Sequence, residues 1–214
     1  MALFIQNQVK DIPGVKVVHD KGFIGVVAPK EWDAIRAAEQ LKVTWSDAKP
    51  PFPGNAGLYD HIRRAKVVKY DPEVKVGDVD AAFASAAKVV EAVYEWPFQS
   101  HAGMAPACGV ADVRSDEATV WTGSQKAHYC AQGVAKMLKL PIEKVTAIQM
   151  TGPGSYGRND SGDTVMDAAV LSKAVGKPVR VQGMRLLGSR CVQVLFLSRT
   201  KPARSWRSAE RWPR

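Results

Sequence analysis

Residues 152–158, Gly152-Pro153-Gly154-Ser155-Tyr156-Gly157-Arg158, gather three glycines, a hydroxyl, an aromatic ring and a guanidinium into one loop. Glycines let a backbone come close to a ligand. Asn159 and Asp160 follow where a helix start would welcome a phosphate or other oxyanion. The run also matches G-x-G-x-x-G, between an expected strand and an expected helix, as a dinucleotide fingerprint requires. Three details count against that reading. Pro153 removes an amide donor from the turn. The capping residues Asn159, Asp160, Ser161 and Asp163 come only after the third glycine. The next strand, Val179-Arg180-Val181-Gln182, has no carboxylate for a ribose. A plain strand–helix connection that needs glycines for its turn is the structural alternative. A second group, His101, Cys108, His128 and Cys130, has zinc-ligand chemistry. Its spacings fit neither C-x₂₋₄-C nor H-x₃₋₅-H.

The elements that must position these residues read as mixed α/β. Val15–His19 and Phe23–Ala28 flank the turn Asp20-Lys21-Gly22, with glycine where positive φ is expected. Pro29 suits a helix start, and Trp32, Ile35, Ala38 and Leu41 form an apolar stripe. Val43-Thr44-Trp45 reads as a short strand. Residues 46–60 hold three prolines and two glycines and read as a linker or surface loop. A helix capped by Asp78 or Asp80 follows, with Val79, Phe83, Ala86, Ala87 and Val90 as its buried face. Strands are expected over 91–97, 108–114 and 117–122, the last two joined by Arg114-Ser115-Asp116-Glu117. A helix over 126–138 buries Ala127, Ala131, Val134 and Leu138 and stops before Leu140-Pro141. Strand 143–150, the glycine-rich loop, a helix over 163–175 ending at Gly176 and strand 178–183 complete the block. Past Leu186 only Val192–Leu197 looks like a strand. Poor packing or a swapped arm is expected there.

The chain has 214 residues and a formal charge of +9. Residues 186–214 carry seven basic residues against Glu210 alone, leaving only +3 for the 185 residues before them. A nucleic-acid surface is usually built into the folded part, so no nucleic-acid partner is expected. No apolar run approaches the roughly 20 residues of a membrane span, and the N-terminus lacks the pattern of a signal peptide. Three scattered cysteines, Cys108, Cys130 and Cys191, fit a reducing compartment, so the cytoplasm is expected, or the periplasm if a partner carries the chain there.

Four motifs recur in order. They are His101-Ala-Gly-Met-Ala-Pro106, Trp121-Thr-Gly-Ser-Gln125, a helix ending at Leu140-Pro141, and the glycine-rich loop with Tyr156. This succession resembles the large, molybdopterin-binding subunit of the xanthine dehydrogenase and aldehyde oxidase family of molybdenum hydroxylases. Gly-Ser-Tyr-Gly-Arg-Asn is most similar to the isoquinoline 1-oxidoreductase and nicotinate dehydrogenase branch. Asp163, Asp167, Ala168–Ser172 and Gly176–Arg180 continue the likeness, which runs from about residue 12 to 185.

The resemblance implies an α/β fold with mixed sheets: a partial hammerhead domain over 1–50, a linker over 51–76 and the first part of the molybdopterin-binding domain over 77–185. Residues 186–214 are then an atypical tail, disordered or from a shifted reading frame. The implied cofactor is molybdenum on molybdopterin, in its cytosine dinucleotide form, with no protein metal ligand. Gln125 matches the family glutamine beside the metal, where an uncharged amide meets an oxo ligand without competing as a base. Tyr156 and Gly157 match loop positions that face metal and substrate, and Gly154, Ser155 and Arg158 complete the expected cofactor contacts. A carboxylate common in other branches is replaced by Ala105, which leaves substrate contacts open. The implied partners are an iron–sulfur subunit, the remainder of the large subunit with its general base, and a small-molecule substrate. The implied reaction is hydroxylation of an aldehyde or N-heterocycle with water-derived oxygen, by a fragment inactive alone. A dinucleotide-binding protein and a cofactor-free binding module are the competing readings.

Overall fold

The computed structural model describes residues 2–6, 9–47, 54–69, 76–96, 101, 103, 105–152, 154–157, 159, 161–183 and 194–196. The chain divides into two units, one of Met1–Ser46 with His101–Arg214, the other Asp47–Ser100.

The first unit begins with β1 (Ala2–Gln6), which the sequence did not announce, then β2 (Lys16–Asp20) and β3 (Phe23–Val27). β2 and β3 form the expected hairpin, but its left-handed residue is Lys21 (φ 54°) rather than Gly22. α1 (Glu31–Gln40) buries Ala34 and Ala37 while Trp32 stays exposed, so the buried stripe is displaced from the one expected. Small side chains face inward because they allow close approach, Ala37 to Val9, Ile12 and Val26 and Ala34 to Ala28. β4 (Lys42–Trp45) pairs antiparallel with β1.

The second unit holds α2 (Leu58–Arg64) and α3 (Val79–Ser85), and neither helix buries a residue. α2 falls wholly inside the stretch 51–76 expected as a linker. α3 is capped by Asp78, whose carboxylate accepts from the Ala81 amide at 3.0 Å. The face expected to be buried, Val79, Phe83, Ala86, Ala87 and Val90, is exposed. No strand forms over 91–96, since no described strand pairs with that segment.

In the first unit the chain continues as β5 (Cys108–Val113), β6 (Ala118–Thr122), α4 (Ala127–Leu138), β7 (Val145–Gln149), α5 (Ser161–Val175), β8 (Val179–Gln182) and β9 (Val194–Phe196). The strands make one mixed sheet in the order β7-β6-β5-β8-β9, with β6 and β7 parallel and the other pairs antiparallel. This is the mixed α/β architecture expected. β7 and β8 are separated by two strands, so they lack the adjacent parallel pair on which a dinucleotide fingerprint depends. β9 gives the expected strand-like run an edge position, while residues 197–214 lie outside the described residues.

The sheet packs on α4 and α5 through Val120, Val134, Val165, Leu171, Val179 and Val181, all fully buried. α4 ends as its sequence dictates. Lys139 turns left-handed (φ 59°) and the Leu140 amide donates to Ala135 O at 2.9 Å, closing the turn before Pro141. α5 starts two residues earlier than expected and stops at Gly176 (φ 66°), whose amide donates to Ser172 O at 2.8 Å. Gly109 on β5 permits a close backbone approach, since a Cβ there would lie 2.5 Å from Val165 N of α5.

Candidate functional site

The turn after β6 and the loop before α5 are tied together by hydrogen bonds. Thr122 Oγ1 donates to Ser161 O at 3.1 Å and accepts from the Ser124 amide at 3.1 Å. Asn159 spans the two segments: its Nδ2 donates to Gly123 O and its Oδ1 accepts from the Ser161 amide, both at 3.2 Å. The Met150 amide donates to Thr122 O at 2.9 Å, fixing the end of β7 beside the same turn. Gly123 and Gly152 touch backbone to backbone, and a Cβ on either would lie 2.9 Å from the Cα of the other. Two segments about 30 residues apart are thus held as one rigid edge at the head of α5.

This edge borders a cavity of about 390 Å³. Of the residues expected from sequence, Gln125, Ser155 and Gly157 line it, together with His101. Ser155 Oγ accepts from the Gly157 amide at 3.2 Å, which shapes the loop tip. The His101 ring packs on Gly157, whose left-handed φ of 116° and missing Cβ leave room for it. Gly154 and Tyr156 stand outside the lining: Tyr156 is left-handed (φ 51°) and largely exposed, and its ring covers Gly154. Arg158 lies outside the described residues.

Sequence reasoning missed Ser124, Lys126, Gly162 and Asp163, which also line the cavity. The Lys126 ammonium sits 5.7 Å from the Tyr129 ring centroid. One turn along α5 from Asp163, burial and then the neighbouring Asp163 carboxylate push the Asp167 carboxyl up to about 6. Ser161 is fully buried, yet its Oγ has no hydrogen-bond partner among the described residues.

The residues present fit an anionic, oxygen-rich cofactor. The wall offers amide, hydroxyl and ammonium donors from Gln125, Asn159, Ser124, Ser155 and Lys126 beside the carboxylate of Asp163, and Gly157 leaves the backbone open. Among the described residues no group of three or more His, Cys, Asp or Glu converges on a metal position.

Comparison with known proteins identifies the domain to which this sheet and its loops belong. Residues 60–186 match the family described as molybdopterin cofactor-binding domain, and the chain belongs to that family. A nicotinate dehydrogenase subunit of Pseudomonas putida is 38% identical over 183 residues, covering 83% of this chain and 15% of that protein. The molybdenum-binding subunit of an aldehyde oxidoreductase from Escherichia coli is 31% identical over 181 residues, covering 82% of this chain and 24% of its own length. The chain therefore spans between 15% and 24% of these curated relatives. In fold it is similar to quinoline 2-oxidoreductase from Pseudomonas putida 86, with TM-score 0.59 and 19% identity, over 84% of this chain and 28% of that one. No helix among the described residues is long and apolar enough to cross a membrane.

Proposed function

We propose that the cavity edge formed by Gln125, Ser155 and Gly157 is one wall of a molybdopterin site in an oxidoreductase that hydroxylates an aldehyde or N-heterocycle with water-derived oxygen. The observation that carries this reading is convergence. Two loops distant in sequence, each bearing a motif similar to the xanthine dehydrogenase family, border one cavity in a chain of the molybdopterin cofactor-binding family. Bound there, molybdopterin supplies the redox-active molybdenum at which substrate is oxidised.

The chain's own residues bind and orient. Gln125 would present its amide N–H to an oxygen of the bound cofactor and, being uncharged and non-basic, would not act as a base there. Ser155 Oγ holds the Gly157 amide in place, keeping the loop backbone close to the ligand. Lys126 supplies positive charge to an anionic group, and cofactor contacts by Gly154, Tyr156 and Arg158 belong to the proposal through their place in the same glycine-rich motif. The cytosine dinucleotide form of the cofactor, an iron–sulfur partner and a cytoplasmic site of action belong to the same proposal. The base that activates water and the rest of the cofactor cage come from large-subunit sequence outside these 214 residues, so the chain alone is inactive.

The test is Gln125→Ala in the chain assembled with the remaining large-subunit polypeptide. The reading predicts retained molybdenum content, with turnover of nicotinate or an aromatic aldehyde lowered by about 100-fold or more. Unchanged turnover at equal molybdenum content would remove Gln125 from the site.

A further inference from the structure

The second unit presents an apolar surface without a core beneath it. No described residue between 54 and 96 is buried, and Val76, Val90, Val93, Tyr94 and Trp96 are each 72 to 83% exposed. An unfilled groove of about 470 Å³ runs between α3 and the segment after it, lined by Val76, Val79, Phe83, Val89 and Val90 among others. Isolated exposed apolar residues need no explanation, but a contiguous set of this kind marks an interface.

The segment 87–96, Ala-Lys-Val-Val-Glu-Ala-Val-Tyr-Glu-Trp, has the composition and period of a strand. Positions 90, 92, 94 and 96 are all apolar, while Glu91 and Glu95 fall on the alternate face. Tyr94 and Trp96 follow that period, with ring centroids 6.4 Å apart. On the other face Glu95 is anchored by an ion pair with Arg63 of α2. No backbone hydrogen bond among the described residues engages 87–96. A strand-forming sequence whose amides and carbonyls no described residue engages is a template for another strand.

We propose that residues 87–96 dock by strand addition onto the part of the molybdopterin-binding subunit that these 214 residues do not include. Val90, Ala92, Tyr94 and Trp96 then form the buried face, and the groove beside Phe83 receives an apolar side chain from the same partner. Two observations select this occupant. The family match begins at residue 60, so the unpaired segment lies inside the molybdopterin-binding domain itself. In the Pseudomonas putida relative, 83% of this chain matches only 15% of the protein, leaving most of that polypeptide to cover the surface. The inference rests on the partnership with a large-subunit remainder described under the proposed function.

The experiment mixes the full chain with a polypeptide comprising the part of the Pseudomonas putida nicotinate dehydrogenase relative outside the matched region, and reads amide hydrogen exchange over 87–96. The expected result is fast exchange in the chain alone and at least about 100-fold slowing in the complex. Val89→Pro and Val90→Pro are compared, because adjacent positions point their amides to opposite edges and one of the two removes a ladder donor. That variant should weaken the complex at least about 10-fold while the other weakens it less. Four outcomes would overturn the proposal: no complex; a complex in which 87–96 still exchanges fast; concentration-dependent protection in the chain alone, meaning a second copy; or concentration-independent protection in the chain alone, meaning that the chain covers its own face. Molybdenum content separates the two readings. A protected complex without molybdenum sinks the cofactor reading only, and a molybdenum-loaded complex with 87–96 unprotected sinks this one only.

Discussion

Gly109→Ala is the substitution for which the geometry makes the sharpest demand. A methyl carbon at residue 109 would lie 2.5 Å from Val165 N, 2.6 Å from Val165 Cα and 2.8 Å from Thr164 C. These are backbone atoms of α5, so no side-chain rotation relieves the overlap. Restoring ordinary contact requires β5 and α5 to part by about 1 Å along a tightly packed seam. Overpacking of this kind costs about 1 to 3 kcal/mol. Loss of glycine freedom in the unfolded chain offsets about 0.4 to 1 kcal/mol of that. The net destabilisation is about 1 kcal/mol, a fall in Tm of about 2 to 4 °C for a unit of this size. Thermal and urea unfolding followed by circular dichroism provide the assay. Gly22→Ala is the control, since a Cβ there meets nothing within 4 Å, and it should leave Tm almost unchanged. A Gly109→Ala variant as stable as the parent would show that β5 and α5 do not pack at this distance.

Asp167→Asn tests the raised carboxyl. A carboxyl held at about 6 binds its proton more tightly in the folded state than in the unfolded chain, so stability is lost as pH rises from about 4 to about 6. The variant escapes this loss and should gain about 2 to 3 kcal/mol on the parent between pH 4 and pH 7 in urea unfolding; a difference independent of pH would contradict the burial argument. Thr122→Val breaks two hydrogen bonds at the cavity edge and should cost about 1 to 2 kcal/mol. Ser161→Ala removes a buried hydroxyl that has no protein partner among the described residues and should be neutral or stabilising in the cofactor-free chain, which the same unfolding measurements would show. Gly157→Ala forces a side chain onto a left-handed backbone and into the His101 ring, so cofactor content should fall about 10-fold or more, read as molybdenum per protein.

Local rules reached most of the large sheet and its helices. α4 was legible because Ala131, Val134 and Leu138 repeat at helical spacing and Pro141 stops the run. α1 was harder, because Trp32 outweighs Ala34 and Ala37 on any hydrophobicity scale. Packing nonetheless selected the small residues for the close approach. The positive φ at Lys21 rather than Gly22 is a choice of turn geometry that composition does not decide. The strand expected over 91–97 failed for a different reason. A strand exists only with a partner, and a single sequence cannot say whether the partner lies within it. At the cavity, Gln125, Ser155 and Gly157 were legible through their motifs. Lys126 and Asp163 were not, because they reach the cavity only after α4 and α5 are packed against one sheet.

The central claim is that these residues hold part of a molybdopterin. Its most direct test is elemental and pterin analysis of the chain purified in complex with the remaining large-subunit polypeptide, from cells able to make the cofactor. Molybdenum and pterin are expected in equal amounts in the complex, both sharply reduced by Gly157→Ala. A stable complex that contains neither, from cells whose other molybdenum enzymes are loaded, would contradict it.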